Sequence, residues 1–522
     1  MQLNKVSLAE TQAFSPFFID YLQQKNTLSP FYHRFPAIEN FGDQIVEKAA
    51  SFSDNRRNVL VKTLRKQYET ISFSPEVEKN IARLEDRKTF TVTTGHQLNI
   101  FTGPLYFIFK IVTVINTCAR LKERYPDCNF VPVYWMASED HDYDEIKYFK
   151  LYGKKYVWET NQSGAVGRFL TNGLSALANE VPGETTIFRE AYAKHKTLSG
   201  AVRHYVNALF GVHGLIVLDA DDRDLKIQFS KVIGQDVLAG SNKKVVDTTN
   251  SSLEELGYKT QIFCRDINFF YLADGIRSRI EKTDGKYSIL DSKLSFTESE
   301  IEKLITEEPE KFSPNVILRP LYQEMILPNL AYVGGPAEVI YWLQLKGVFD
   351  QVSIPFPIIM PRNFGMIVDH EVSRKLAKTG LDFVEIFEEK NFLFNHWVLK
   401  HSPRDLTVGH ERAELSKLFE LLRERAESID PTLAPFVGAE GKRGLNSLEK
   451  IERKFLRAEK RLHADKLRQI EAVKDALFPN GSLQERTENF LAFYQRDPQF
   501  LQRLIECFDP FDFRFHVLSY RS

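Results

Sequence analysis

The chain has 522 residues, of which 43% are hydrophobic, and it is too long for a single hydrophobic core of ordinary size. Its 69 Lys and Arg residues nearly balance its 70 Asp and Glu residues, which excludes an overall electrostatic field for nucleic acid or anionic lipid. The four cysteines show neither a C-x-x-C pair nor a metal-ligand spacing, a usage typical of a reducing compartment. We therefore expect a large globular protein of two or three domains, with no nucleic-acid partner and no predicted metal site.

The first residues, MQLNKVSLAETQAF, contain no long apolar segment, and Lys110 interrupts the apolar run near residues 107–114. A membrane-spanning helix needs about 20 predominantly apolar residues. We therefore expect no membrane partner and a cytoplasmic location.

From about residue 89 to residue 369, short apolar or β-branched runs alternate with helical patterns. This alternation is typical of β-α-β units around a parallel sheet, so the predicted fold class is α/β. The predicted strands all run into Gly, Ser, Asp or His: TFTVTT (89–94), NFVPVYWMA (129–137), GLIVLDA (214–220) and AYVGG (331–335). Open α/β sheets bind ligands beyond the carboxyl ends of their strands, so we expect the functional site there.

The first predicted strand runs into the turn GHQLNIFTGP before a helical pattern begins. Gly95, Gln97, Thr102 and Gly103 would build a turn whose free backbone N–H groups favour an anion at a helix N-terminus. His96 would add a hydrogen-bond donor or a positive charge to a phosphate in a transition state. Alternatively, the glycines only form turns and His96 is an ordinary loop residue.

The second predicted strand is followed directly by the acidic segment SEDHDYDE. Asp140 and His141, which stand nearest to the strand end, could bind Mg²⁺, hold a substrate amine or act as a general base. A solvated acidic loop that caps the helix beginning near Asp144 would explain most of these charges equally well. We retain Asp140 and His141 as candidate catalytic residues.

A second glycine-bearing strand-to-helix turn follows the strand AYVGG. Gly334 and Gly335 form this turn, and Glu338 in the first helical turn would direct its carboxylate towards the same crevice. The polar residues before this strand that we predict to bind substrate are Arg319, Gln323 and Glu324. Three further arginines could bind an anionic substrate or equally form ion pairs: Arg265, Arg277 and Arg279.

Composition changes after about residue 385. The helical pattern ERAELSKLFELLRERAESID ends at Pro431, and a second pattern with heptad spacing shifts its phase near Asp465. The connector PTLAPFVGAEGKRG predicts an antiparallel helical hairpin that serves as a structural arm or oligomer surface, and the aromatic tail is expected to pack back on the core. We assign residues 1–385 to the α/β core, 386–478 to an α-helical coiled-coil domain and 479–522 to a C-terminal segment.

These segments resemble those of the bacillithiol biosynthesis cysteine-adding enzymes, a family also described as cysteine ligases. The resemblance covers nearly the whole chain and includes the order of the segments. The matching segments are TTGHQLNIFTGPLYFIFK, VPVYWMASEDHDYDEI, SPNVILRPLYQEMILPNLAYVGGPAEVIYW and LEKIERKFLRAEKRLHADKLRQIEAVKDALFPNGSLQERTENFLAFY.

The resemblance implies a Rossmann-like core related to class I ligases and nucleotidyl transferases, an inserted coiled coil and a homodimer. It also implies the last step of bacillithiol assembly, in which cysteine is joined to the amine of glucosaminyl malate. Use of ATP is a further implication, with His96 and the Thr102–Gly103 turn holding the phosphate. Asp140, His141 or Glu338 would orient or deprotonate the amine.

The chain departs from class I synthetases in two respects. Those enzymes use a His-x-Gly-His turn and a lysine-rich second signature, whereas this chain has Gly95-His96-Gln97 and no convincing second signature. The family often carries glutamine where this chain has His96. Two other functions stay open: a nucleotide-dependent ligase or nucleotidyl transferase for another small substrate, since fold does not determine function, and a non-catalytic coiled-coil scaffold.

Overall fold

The computed structural model describes residues 1–520, so the last two residues of the predicted C-terminal segment lie outside the described part of the chain. The strands are numbered in chain order: β1 Gln2–Val6, β2 Thr89–His96, β3 Asn129–Met136, β4 Tyr148–Leu151, β5 Lys154–Val157, β6 Ile216–Asp219, β7 Phe269–Ala273, β8 Ile276–Thr283, β9 Lys286–Ile289, β10 Ser295–Phe296, β11 Phe312–Pro314, β12 Asn329–Gly334, β13 Ile358–Pro361, β14 Phe364–Val368 and β15 Phe515–Ser519.

The α-helices are numbered in the same way: α1 Pro16–Leu22, α2 Phe41–Ser51, α3 Asp54–Tyr68, α4 Pro75–Arg83, α5 Tyr106–Arg124, α6 Tyr143–Ile146, α7 Leu174–Glu180, α8 Thr186–Lys194, α9 Leu198–Phe210, α10 Arg223–Ile227, α11 Ser230–Ala239, α12 Lys243–Glu255, α13 Glu298–Glu307, α14 Arg319–Ile326, α15 Pro336–Leu343, α16 Lys346–Gln351, α17 His370–Thr379, α18 Lys390–His401, α19 Gly409–Ile429, α20 Ala434–Leu462, α21 Ala464–Leu477, α22 Gln484–Thr487, α23 Leu491–Tyr494 and α24 Phe500–Cys507. Within residues 1–520, no helix combines the length and the apolar character that crossing a membrane requires.

The central sheet has five parallel strands in the order β13-β12-β2-β3-β6. Counted along the chain, this is the doubly wound order 3-2-1-4-5, and its direction reverses between β2 and β12. The prediction of a parallel-sheet α/β core is confirmed, and all four predicted strands belong to this sheet. The fifth strand, β13, was not predicted; it is only four residues long and lies among prolines.

Both faces of the central sheet are buried. Along β3, Val133 and Trp135 pack into one hydrophobic core, whereas Tyr134 and Met136 pack into the core on the opposite face. Strands covered by helices on both faces are expected to read as continuous apolar runs, as this one does. The polar groups that follow the strands are therefore confined to the carboxyl edge of the sheet.

An antiparallel sheet of five strands, in the order β10-β9-β8-β7-β11, is inserted between β6 and β12. The sequence analysis treated this region as part of the β-α-β series. Strand β8, IRSRIEKT, is mostly polar, and only one of its residues is buried, so it lacks the apolar run that indicates a core strand.

The C-terminal segment returns to the core through β15, which pairs with β1 in antiparallel and with β14 in parallel orientation. A buried ion pair between Arg362 and Glu485 holds the preceding part of this segment, with a second hydrogen bond of 2.9 Å between the two side chains. Gln484 adds hydrogen bonds to both backbone groups of Ile367, at 2.7 and 3.0 Å. Residues at the two ends of the chain thus stabilise one sheet.

Helices α19 and α20 form an antiparallel pair, in which Arg412 lies 3.0 Å from Glu449. The predicted connector between them is mostly helical, because α20 begins at Ala434. Its Gly441 lies against Phe419, where an added Cβ atom would stand 2.9 Å from the ring, so the glycine permits a close helix contact. α20 and α21 are separated at His463, close to the predicted shift of heptad phase.

Candidate functional site

A cavity of about 1170 Å³ lies at the carboxyl edge of the central sheet. Its walls come from the β2–α5 turn, the end of β3, the inserted sheet, the start of α15 and the C-terminal segment. The predicted site residues that line this cavity are Gly95, His96, Gln97, Asp140, Arg319, Gly335 and Glu338. The cavity therefore occupies the crevice where the strand order reverses, the usual ligand position in such sheets.

A buried ion pair joins α5 to the first turn of α15 across this crevice. Lys110, on α5, contacts the carboxylate of Glu338 and donates a 2.8 Å hydrogen bond to the carbonyl of Gly95. Glu338 also accepts hydrogen bonds from the hydroxyl of Tyr332 (2.6 Å) and the backbone N–H of Gly335 (2.7 Å). Burial opposes ionisation of Glu338, but Lys110 and these two donors outweigh burial and lower its pKa. Glu338 is thus a fixed anion, poorly suited to accept a proton.

Arg319 begins α14 and lies among aromatic rings on the cavity wall. Its guanidinium lies 5.5 to 6.0 Å from the ring centres of Tyr332, Trp135 and Trp342. Its Nη1 donates to Gln323 at 3.1 Å, whereas its buried Nη2 has no hydrogen-bond partner among residues 1–520. A cation in this state offers a charged donor to an anion that enters the cavity.

Gly95 has a steric role beside Arg319. A Cβ atom at this position would lie 3.2 Å from the hydroxyl of Tyr332 and 3.6 Å from Nη1 of Arg319. A larger residue would therefore displace the groups that form this part of the wall.

His96 is neutral at physiological pH. Burial, followed by the nearby charge of Lys110, lowers its pKa to about 3. Its Nε2 atom is buried and has no hydrogen-bond partner among the described residues. The predicted positive charge at His96 is therefore wrong for the free protein, and the imidazole can offer a neutral hydrogen bond instead.

Asp140 lies in a network at the end of β3. It accepts hydrogen bonds from Gln97 (3.0 Å) and from the backbone N–H of His141 (2.7 Å), and its carboxylate lies 3.7 Å from Arg277. Arg277 also donates to Nδ1 of His141, so that ring nitrogen is occupied. Burial and Arg277 lower the pKa of His141, which keeps the imidazole neutral. His141 does not line the cavity.

Glu145 lines the cavity close to this network but was not retained among the predicted catalytic residues. Partial burial raises the pKa of its carboxyl group, and the negative charges of Asp142 and Asp140 raise it further. A hydrogen bond from Gln97 lowers the pKa but does not offset these effects. A carboxylate with a raised pKa is a better proton acceptor than a fully paired one. The acidic segment in the sequence contained this residue, but its spacing could not separate it from its neighbours.

Several predicted residues lie outside the cavity wall. The carbonyls of Phe101 and Gly103 accept hydrogen bonds from Asn489 at 2.7 and 2.6 Å, and Glu488 accepts one from the backbone of Leu105. The C-terminal segment thus holds this turn in place through two of its carbonyl groups and the N–H of Leu105. The predicted residues that do not line the cavity are Thr102, Gly103, His141, Gln323, Glu324 and Gly334.

Glu324 belongs to a polar cluster in the core. Its carboxylate pairs with the buried Lys48 at 3.2 Å and accepts hydrogen bonds from Gln323 (3.0 Å) and Asn329 (2.6 Å). All four side chains are buried. The predicted contact of Gln323 and Glu324 with substrate is therefore not supported by their position.

The cavity wall carries an excess of positive charge. Eight Lys and Arg side chains line it, against four Asp and Glu side chains. Three of the four carboxylates already lie within 4.0 Å of a cation: Glu338 beside Lys110, Glu139 beside Lys226 and Asp140 beside Arg277. The cavity is therefore suited to a ligand with several negative charges. Within residues 1–520, no three His, Cys, Asp or Glu side chains are grouped as a metal site.

Comparison with known proteins agrees with this architecture. The model of the bacillithiol biosynthesis BshC N-terminal Rossmann-like domain matches residues 1–363, and that of the BshC C-terminal coiled-coil domain matches residues 365–520. A tryptophanyl-tRNA synthetase of Plasmodium falciparum, at 10% identity over 84% of this chain and 94% of that chain, has a TM-score of 0.20, which is too low to indicate a shared fold.

Full-length relatives carry the provisional name cysteine ligase BshC. The relative from Christiangramia forsetii is 41% identical over 100% of this chain and 99% of its own length. The relative from Flavobacterium psychrophilum is 42% identical over 95% of this chain and 95% of its own length. The relative from Bacillus licheniformis is 27% identical over 96% of this chain and 97% of its own length. The chain therefore belongs to the bacillithiol biosynthesis BshC family.

Proposed function

We propose that this protein is a ligase that forms an amide bond between the carboxyl group of cysteine and the amine of glucosaminyl malate. The reaction would complete bacillithiol assembly in the cytoplasm, and the four cysteines of the chain, all free thiols, are compatible with that compartment. Family membership and the names of the relatives support the proposal.

The excess of positive charge in the cavity is the observation that carries the proposal. Cysteine brings one carboxylate, and glucosaminyl malate brings two. A cavity with eight cationic side chains and four anionic ones can neutralise these groups together. The unpartnered Nη2 of Arg319 offers one such contact directly at the strand ends.

Amide formation requires the carboxyl group of cysteine to be activated, and we propose that ATP supplies this activation as a third substrate. The residues that fit a phosphate at the strand ends are His96 and Arg319, because each has a buried nitrogen without a partner. Lys110 is less available, since it is held by Glu338 and by the carbonyl of Gly95. Thr102 and Gly103 do not line the cavity, so we do not propose them as phosphate ligands.

The sugar amine must lose a proton before or during its attack on the carbonyl carbon of cysteine. We assign this proton to Glu145, whose raised pKa suits a general base. Asp140 would orient the amine, since Gln97 and a backbone N–H hold its carboxylate in place. Glu338 would keep the strand-end wall in shape through its bond to Lys110 and would not transfer protons.

The direct test is a mass-spectrometric assay with the pure full-length protein, glucosaminyl malate, cysteine and ATP. We expect a cysteinyl amide to form and glucosaminyl malate to disappear, and Glu145→Gln, purified in the same way, should form the product about 10²- to 10⁴-fold more slowly. Omission of ATP tests the energy source separately. Failure of the wild-type protein to consume glucosaminyl malate would refute the proposed function.

The protein is also proposed to be a homodimer that associates through its helical arm. Large apolar side chains are exposed there, among them Leu421 (59%), Phe436 (64%) and Ile429 (73%). Exposed apolar surface of this extent is typical of an association surface. Light scattering on the double variant Leu421→Glu/Phe436→Glu should report a monomer, and an unchanged dimer would exclude this surface.

A further inference from the structure

The hairpin β7–β8 of the inserted sheet forms a second wall of the cavity, separate from the strand ends of the central sheet. Arg277 and Arg279 stand two residues apart on β8, so their side chains project from the same face of the strand. Phe270 on β7 pairs directly with Arg279 across the hairpin. Arg265 lies on the segment that enters β7, and all four residues line the cavity.

Arg277 is held in a fixed position on this wall. Only 8% of its side chain is exposed, and its guanidinium lies 4.1 Å from the ring centre of Phe270. Its Nε donates to the hydroxyl of Ser313 at 3.1 Å, and its Nη1 donates to His141. Its Nη2 makes no hydrogen bond within residues 1–520. A preorganised guanidinium binds an anion at a low cost in side-chain entropy.

The other two arginines of this wall lack a neutralising partner. Within residues 1–520, no Asp or Glu oxygen lies within 4.0 Å of Arg265 or Arg279. Asp266, the neighbour of Arg265, pairs instead with Lys243 at 2.7 Å. Asp140 compensates Arg277 in part, at 3.7 Å. The wall thus presents about two uncompensated positive charges close to one another.

We propose that this hairpin wall, formed by Arg265, Arg277 and Arg279, binds the malyl dicarboxylate of the acceptor substrate and determines selectivity for it. This inference rests on the proposed function. Planar guanidinium groups match carboxylates through paired N–H···O bonds, and two uncompensated charges match the two carboxylates of one malyl group.

Phosphate is the other anion that arginines bind well, and the geometry favours its location at the opposite wall. His96, Arg319 and the two glycine turns all belong to the strand ends of the central sheet. The turn of the hairpin, at Gly275, does not line the cavity. With the dicarboxylate held by the hairpin, the sugar lies between the two walls, and Glu145 and Asp140 line the cavity near its amine.

Calorimetric titration of the full-length protein tests this inference. The variant is Arg265→Gln/Arg279→Gln, in which both residues are exposed and unpaired, so folding is not at risk. The matched control is Arg423→Gln, an exposed arginine on α19 outside the cavity. The ligands are glucosaminyl malate, methyl glucosaminide, which lacks the carboxylates, and ATP.

In the double variant, we expect the Kd for glucosaminyl malate to rise by about 10- to 100-fold for each arginine that contacts a carboxylate. The affinities for methyl glucosaminide and ATP should not change, and Arg423→Gln should bind all three ligands as the wild type does. An unchanged Kd for glucosaminyl malate, or a loss confined to ATP, would overturn the inference while leaving the proposed function intact. Wild-type protein that fails to bind glucosaminyl malate would instead overturn both.

Discussion

Glu338→Gln tests the buried ion pair between Glu338 on α15 and Lys110 on α5 at the strand ends of the central sheet. Glutamine keeps the shape of the side chain, but Tyr332 and Gly335 donate to different oxygens of Glu338, so the single amide oxygen can accept from only one of them. It removes the negative charge beside Lys110, whose side chain is only 3% exposed. Lys110 then retains a single partner, the carbonyl of Gly95 at 2.8 Å. The substitution therefore leaves a buried ammonium group without a counter-charge.

The size of the effect follows from the burial of the pair. Removing one partner of a fully buried ion pair costs about 3–5 kcal/mol. Glu338 is 23% exposed, so we expect the lower end, about 3 kcal/mol. For a domain of residues 1–363, an unfolding entropy of about 2 cal/mol/K per residue converts this to a drop in melting temperature of about 4 °C.

Differential scanning calorimetry of four proteins measures this coupling: wild type, Glu338→Gln, Lys110→Met and the double variant. Since Lys110→Met removes the buried charge, the double variant should recover part of the stability that Glu338→Gln loses. The control is Asp350→Asn, which breaks an exposed pair with Lys346 and should cost less than about 1 kcal/mol. An unchanged melting temperature for Glu338→Gln, or strict additivity in the double variant, would refute the reasoning.

Four further predictions concern single sites. His96→Ala should lower turnover by about 10²-fold with little change in melting temperature, whereas His96→Gln, which keeps a donor, should lose less activity. Steady-state kinetics and thermal melts of both variants measure this, and full activity in His96→Ala would contradict it. Glu145→Gln should lower kcat by about 10²- to 10⁴-fold and abolish the acid limb of the pH–rate profile, a limb that the raised pKa of Glu145 places above the ordinary range of a glutamate. Burial lowers the pKa of His204, so as the pH falls below about 6.5 the unfolded chain takes up a proton more readily than the folded chain, and the free energy of unfolding decreases. Thermal melts of His204→Gln should show a smaller decrease in melting temperature over the same pH range. Gly438→Ala should stabilise the arm by about 0.5–1 kcal/mol in circular-dichroism melts, whereas Gly441→Ala should not, because its Cβ would stand 2.9 Å from an aromatic ring.

Local patterns in the sequence were sufficient for the central sheet and for the helical arm. Apolar or β-branched runs that end in Gly, Ser, Asp or His marked β2, β3, β6 and β12, because a strand covered on both faces has no solvent-facing row of charged residues. Pro431 ended α19, and the shift of heptad phase near Asp465 corresponds to the break at His463. These signals are local, since each depends on the periodicity of one element or on one residue with restricted dihedral angles.

The separation of Arg319, Gln323 and Glu324 required the tertiary structure. The three residues stand within six positions of one another and formed one predicted substrate-binding group. On α14, successive residues are rotated by about 100°, so Arg319 reaches the cavity while Glu324 points into the core towards Lys48. The sequence does not state which face of a helix with polar residues on both sides is buried.

The sequence by itself determined the α/β class, four of the five strands of the central sheet, the helical arm and the position of Gly95, His96, Asp140 and Glu338 at or just after strand ends. Only the tertiary structure decided which groups neutralise or occupy these residues. Asn489 holds two carbonyl groups of the turn predicted for phosphate, although it is more than 380 positions distant from it. Contacts between segments so far apart in the chain leave no periodic pattern in the sequence, because they depend on how complete elements pack. Which charged side chains remain unpaired and available to a ligand is therefore a property of the folded molecule.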